Sequence, residues 1–432
     1  KKQIYKMKIS RDSNTIRCIA VFMTLLYAFT TRSILAKFLF QNQIELLMFY
    51  GITYACLIIS FGNAFDANGG HLYAPKGFYS IAVLFIVIAV GLGVTGNSYS
   101  LIYYGLALLL PFSMNREIKQ HNFFAKFFVG MALFFAVGCF VNFLIPSIFK
   151  AVFIPLYSAS AQQSLANVER LAGTTTYFAG FTSQVGYTSF FISIGVGAAF
   201  CFKDSMFGRS WRIFIGIMLG GLLLTGKRGP LVFLLIALSI IYFIDGYGRE
   251  RIVRIAQIVG AVILAYITLS TIANLTKIDG IIRIYDAVHE FLTSGSVEDV
   301  GRNQLHEQAL YYFKENPIFG IGWSNFKELY AFRGTHVHCI YLQILCETGL
   351  VGFCIFMIFF LTRLIRTFSA VKESRFIDTP IENGWVRFSL FIQIYFLLYG
   401  ITGNPLYDIE ETIIYFFAIG ISYIPLFSFS EE

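Results

Sequence analysis

A chain of 432 residues that is 56% hydrophobic and only 13% charged, with a mean hydropathy of +0.67, carries too much apolar surface for a soluble fold, which typically has about 25% charged residues. The formal net charge of +8 points to membrane topology before it points to an acidic partner, and no nucleic-acid partner is expected. Seven cysteines show no CxxC spacing, and Cys18, Cys56, Cys139, Cys201 and Cys354 lie inside apolar runs; this pattern predicts small core residues, not a disulfide framework or a metal site.

Lys1 to Arg17 is a basic tail, and the apolar run behind it reads as a first membrane anchor, with no cleavable signal peptide expected. Twelve apolar spans follow in order: Ile16–Thr31, Ile44–Phe61, Gly77–Val94, Tyr99–Met114, Phe124–Ile145, Val185–Phe202, Ile213–Leu224, Leu231–Phe243, Ile255–Ile272, Ile340–Leu361, Phe388–Ile401 and Thr412–Phe427. Each is long enough, or nearly so, to cross a hydrocarbon core of about 30 Å as a helix. The short alternating strands of a β-barrel are not seen. The fold expected is therefore all-α and polytopic, a single membrane domain over residues 1–432.

With the amino terminus inside, cytoplasmic segments hold 21 of the 33 Lys and Arg residues, the bias that sets orientation in helical membrane proteins. "NREIKQ", "GRERIVR" and "TRLIRTFSAVKESR" are then basic cytoplasmic loops and topology signals. Two long outer loops break the rhythm, at 146–184 and 276–337, and loops of that length are usually functional or disordered. The second predicts amphipathic helices. In "SVEDVGRNQLHEQALYYF", Ser296 reads as an N-cap with Asp299 three residues on, and the run to Phe313 ends before Pro317. Its many aromatic residues suit a membrane interface.

Cations on the outer face go against the positive-inside bias and need a reason. Four places stand out: Arg170 in "NVERLAGT"; Lys227 and Arg228 in the tight turn "LLTGKRGPLVFLL"; Arg302 at the head of the loop helix; and His336 with His338 in "THVHCIYLQILCETGLVG". Each also has a plain explanation, namely an ion pair with Glu169 for Arg170, snorkelling to head groups for Arg228, and pairing with Glu307 or Glu298 for Arg302. The two histidines come with no Cys, Asp or further His at ligand spacing, and no acidic DxD cluster is present, so no metal and no cofactor is expected. Together the cations suit a lipid diphosphate. Guanidinium groups bond bidentately to phosphate oxygens, and fixed cations stabilise the charge that builds on a departing diphosphate.

The blocks "LTGKRGPLVFLL", "GRNQLHEQALYYFKENPIFGIGWSNF" and "HVHCIYLQILCETGLVG" resemble, in order and spacing, the O-antigen ligase and polymerase superfamily of the Wzy/WaaL type, from Ala172 to about Gly352. That resemblance implies a GT-C-like inverting glycosyltransferase acting on undecaprenyl-diphosphate glycans at the outer face of the bacterial cytoplasmic membrane. It places the family's arginines on Arg228, Arg302 and Arg170, its histidine on His338, and its PxxGxG turn on Pro317, Gly320 and Gly322. Two positions depart from the pattern: Cys339 stands where Asn is frequent, and Lys227 where Ser is frequent.

The mechanism expected has Arg228 and Arg302, helped by Arg170 and Lys227, gripping the diphosphate while His338 orients or deprotonates the attacking hydroxyl. His336, Tyr341 and Gln343 are expected to contact substrate. Glu347 lies beyond direct reach of His338 along a continuous helix rising about 1.5 Å per residue, and reads as a packing or gating residue. The favoured function is polymerisation of lipid-linked repeat units into O-antigen or capsule-type polysaccharide; the alternatives are ligation of the glycan to lipid A core and transport of the lipid-linked glycan. The partners expected are a lipid-linked donor, a glycan acceptor, the bilayer and a chain-length regulator.

Overall fold

The structure, a computed structural model, describes residues 2–40, 42–68, 71–74, 77–97, 100–114, 122–158, 161–163, 165, 177–246, 248–294, 300–329, 334–374 and 380–423. Its helices of more than eight residues are α1 (Lys2–Thr30), α2 (Gln43–Asn63), α3 (Phe78–Val94), α4 (Leu101–Leu109), α5 (Asn122–Leu144), α6 (Val185–Cys201), α7 (Trp211–Leu224), α8 (Arg228–Asp245), α9 (Glu250–Thr276), α10 (Asp279–Ser294), α11 (Val300–Glu315), α12 (Ile340–Ser374), α13 (Pro380–Tyr399) and α14 (Ile409–Tyr423). A helix stands at each of the twelve predicted spans. Among the described residues six helices are long and apolar enough to cross a membrane: α2, α5, the stretch Lys203–Leu224 that contains α7, α8, α9 and α12. Among the described residues, strand structure is confined to the antiparallel pair Asp66–Asn68 with His71–Tyr73 and a bridge between Ser33 and Thr182. The loop at 146–184 opens with a helical stretch, Pro146–Leu156.

The described chain clusters into two compact units, Lys1–Ala28 with Leu46–His121 and Asp299–Glu432, and Phe29–Glu45 with Asn122–Glu298. Each is described by itself.

In the unit holding residues 122–298, α6 is the central helix. Nearly all of it is buried, and Ser189 and Ser193 satisfy their hydroxyls on the carbonyls of Gly186 and Ser189, the local bonding that lets serine sit inside an apolar helix. Small residues bring its neighbours close: a Cβ on Gly195 would meet the Ala132 methyl, and one on Gly221 would meet Ala136 at 2.7 Å, as in other helix contacts inside membranes. By contrast α9 buries only Leu269 and Ala273, leaving Ile252, Val259, Leu264 and Leu275 exposed. Apolar side chains exposed around so long a helix fit a hydrocarbon surround, and the protein is an integral membrane protein. The amphipathic α10 packs Ile281 and Ile284 with Leu269 and Ala273 of α9, so the first part of the 276–337 segment is an ordered helix.

In the other unit α13 and α14 form the core, tied to α12 by Gln393, whose Nε2 donates to Thr367 Oγ1 at 2.7 Å, while Ser389 donates to the Ala418 carbonyl at 2.6 Å. Helix α11 packs Leu305 and Ala309 with Phe326, Val337 and Cys346, the last of these in the first part of α12. Cys139, Cys201 and Cys346 are buried.

Candidate functional site

The stretch Thr335–Gly352 owes its architecture to a break in α12. Gly349 has φ 64° and ψ −169°, a region open essentially to glycine alone, so the helix turns aside there and exposes backbone groups on both sides of the break. The segment Pro317–Gly322 satisfies them. Ile321 and Gly322 donate N–H to the carbonyls of Cys346 and Glu347 (3.0 and 2.9 Å), and the Pro317 and Ile318 carbonyls accept from Leu350 and Val351 (2.9 and 3.3 Å). Buried backbone groups need such partners. The two chains approach so closely that a Cβ on Gly320 would meet the Glu347 carbonyl oxygen at 2.5 Å, and one on Gly349 would meet that of Ile318 at 2.3 Å.

The polar residues of the stretch then form one buried network. Glu347, 1% exposed, accepts from the Ser324 N–H on Oε2 (2.7 Å) and from the Phe326 N–H on Oε1 (3.1 Å). Gln343 is fully buried. Its Nε2 donates to Glu347 Oε1 (3.2 Å) and to His336 Nδ1 (2.7 Å), while its Oε1 accepts from the Val337 N–H (3.1 Å). The amide orientation is fixed because Val337 can only donate and Glu347 accepts from two backbone N–H groups. His336 therefore accepts at Nδ1 and carries its neutral proton on Nε2. Its ring lies 5.4 Å from that of Tyr407, which stacks on Trp323 at 4.6 Å. Trp323 is buried and donates Nε1–H to the Tyr104 hydroxyl at 3.1 Å. Burial, reinforced by the Glu347 charge, pushes the Tyr407 phenol well above its ordinary range, so it stays neutral.

His338 stands at the exposed edge of this network. It has φ 58°, a left-handed conformation that costs a non-glycine residue about 1–3 kcal/mol, and its Nε2 lies 3.4 Å from Thr335 Oγ1. The following helix is held by the Ile340 N–H donating to the Gly400 carbonyl at 2.8 Å. Tyr341 is half-buried and donates to the Leu397 carbonyl at 2.6 Å. Arg302, half-buried on α11, acts electrostatically on Tyr399 together with Glu411 and Asp408. Glu410 and Glu411 are buried in the first turn of α14, where the helix dipole favours carboxylates.

In the other unit the Thr225–Arg228 turn joins α7 to α8. Gly226 has φ 64°, and a Cβ there would meet the Tyr177 ring at 2.9 Å. Thr225 donates its hydroxyl to the Leu222 carbonyl at 2.6 Å and accepts from the Lys227 N–H at 3.4 Å. Lys227 is exposed, with Nζ 5.9 Å from the Tyr177 ring centre, and Arg283 of α10 places Cζ 5.3 Å from the same centre. Arg228 is the first residue of α8 and half-buried. Arg170 and Ser296 lie outside the described residues.

The structure thus brings His336, His338, Tyr341, Gln343 and Arg302 into one unit, and Lys227 and Arg228 into the other. Gln343, expected to contact substrate, is fully buried, and its amide bonds to His336, Val337 and Glu347. Sequence reasoning passed over Arg283, Tyr407 and the carboxylates Asp408, Glu410 and Glu411. Among the described residues, no group of three or more His, Cys, Asp or Glu side chains could hold a metal ion.

Replacing Glu347 with Gln should destabilise the protein by about 1–3 kcal/mol, because an amide NH₂ would face one of two backbone N–H groups that now meet carboxylate oxygens. The midpoint of thermal unfolding in detergent measures it.

Residues 213–357 match the family described as O-Antigen ligase. No curated protein matches the chain. The matched segment contains the Lys227–Arg228 turn, Arg302, the docked Pro317–Gly322 segment and His338, and over these residues the chain is similar to the O-antigen polymerase and ligase superfamily.

Proposed function

We propose that this protein is a metal-independent, inverting glycosyltransferase of GT-C type that polymerises undecaprenyl-diphosphate-linked oligosaccharide units at the outer face of the cytoplasmic membrane. The observation that carries this reading is the family match over the segment that holds two of its arginines and the exposed His338 at the head of α12. Arg228 and Arg302, with Arg170 and Lys227, grip the donor diphosphate. As the bond between the anomeric carbon and the diphosphate oxygen breaks, negative charge passes to that oxygen and the guanidinium groups stabilise it. His338 takes the proton of the attacking sugar hydroxyl, and His336 and Tyr341 line its surroundings. A single displacement inverts the anomeric centre. Lys227 and Arg283 sharing the Tyr177 ring favours an anion in that neighbourhood, since two like charges over one ring are eased by a counter-charge.

The second reading is a ligase that delivers the glycan to lipid A core, and the description of the matched family favours it. Incubating the purified protein with lipid-linked repeat units alone separates the two. Polymerisation yields longer lipid-linked chains from that mixture, whereas ligation consumes donor only after lipid A core is added. No conversion under either condition would rule out both readings.

A further inference from the structure

Three of the described non-glycine residues have positive φ, and two of them, Ser324 and His338, flank the Gln343–Glu347 pair. Such conformations persist only where the surroundings over-determine them. The Ser324 N–H is taken by Glu347 directly, and the N–H of Val337, the residue before His338, is taken by Gln343. Gln343 has a second hold on the same segment through His336 Nδ1, and Glu347 fixes Gln343 in turn. The two residues are one helical turn apart on α12, so the helix presents both to the incoming chain. Neither touches the exterior: they are 0% and 1% exposed.

We infer that Gln343 is a positioning residue for His338, holding the ring of His336 and the backbone of Val337 so that the imidazole of His338 is presented from its left-handed conformation, with Glu347 bracing the amide. This rests on the reading of His338 as the group that addresses the acceptor hydroxyl. The prediction concerns turnover, not donor affinity, because the cations assigned to the diphosphate lie elsewhere in the chain.

The test uses the full chain in detergent and lipid-linked glycan extracted from membranes of source cells lacking this protein. Gln343→Met keeps the side-chain length and apolar contacts but removes all three hydrogen bonds. It should lower kcat about a hundredfold, the scale at which small misplacements act, with KM for the donor within about twofold. Hydrogen exchange should quicken in the segment 334–340 and stay unchanged in α13 and α14. Gln343→Glu keeps an acceptor for the Val337 N–H and should retain more turnover than Gln343→Met. Unchanged kcat in Gln343→Met, equal losses in both variants, or faster exchange throughout the bundle would each overturn the inference, as would a Gln343→Met protein that does not fold. His338→Ala keeps the two questions apart. If it turns over like wild type, the assignment of His338 fails; if it is inactive while Gln343→Met is normal, the positioning role alone fails.

Discussion

Replacing Gly349 with alanine should prevent α12 from breaking where it does, and should cost about 4 kcal/mol or more, enough to unfold a marginally stable protein. The reasons add. The backbone at φ 64° and ψ −169° is strained by about 1–3 kcal/mol for any residue with a Cβ. That Cβ would also sit 2.3 Å from the Ile318 carbonyl carbon and oxygen, which are backbone atoms with no side chain to rotate away. Pro317–Gly322 would have to lift off, stranding the four backbone hydrogen bonds that join it to the break, each worth about 1 kcal/mol net and more when left unsatisfied in the interior. Gly320→Ala approaches the same contact from the other chain and should behave alike. Gly260→Ala, on the exposed α9 with nothing within 4 Å of its Cβ, should be neutral. Yield of monodisperse protein and the unfolding midpoint report the contrast; a folded Gly349→Ala protein of wild-type stability would show that the break is not obligatory.

That break also marks the limit of what could be read from the sequence. Helix positions were legible because apolar runs in a membrane protein are long and uninterrupted, and the loop helix at α11 was legible from its amphipathic pattern and its terminating Pro317. The tight Lys227–Arg228 turn was legible from its flanking glycines and proline. "CETGLVG", however, reads as an ordinary apolar helix in which glycine is merely tolerated, and its partner is the "PIFGIG" segment, whose first residue lies 32 positions before Gly349. Periodicity carries no information about such a pairing. The same blindness hid the role of Glu347. It reads from the sequence as a packing or gating residue, yet what it holds are the N–H groups of Ser324 and Phe326, and backbone donors leave no residue-type signature. The hydrogen bonds of Gln343 were hidden for a related reason: a glutamine near two histidines at the mouth of a span reads as a substrate contact, and its partners emerge only when the helix face it occupies is known. One signal was available, the four-residue spacing of Gln343 and Glu347, which puts two long polar side chains on one face of an otherwise apolar helix.

Arg302→Ala and Arg228→Ala should each lower kcat by about 10²–10³-fold, the loss seen when one fixed donor to a developing oxyanion is removed. For Arg302 the fold should survive the change. The inward face of α11 is made by Leu305 and Ala309, and Arg302 itself is half-buried, near enough to Tyr399 to act on it electrostatically. Arg228 begins α8 after a turn closed by Thr225 and Gly226, so its side chain can be truncated without disturbing the turn's own hydrogen bonds. Lysine should rescue neither position well, because an ammonium is a point charge and lacks the planar fork that matches two phosphate oxygens. Lys227→Ala should cost less, about tenfold, since an exposed ammonium acts through a screened and hydrated charge. The measurement is single-turnover consumption of lipid-linked glycan, with unfolding midpoints run in parallel. Wild-type rates in folded Arg228→Ala and Arg302→Ala proteins would refute the assignment of the diphosphate to these arginines, whereas loss in one variant alone would assign the leaving group to the unit that holds that arginine.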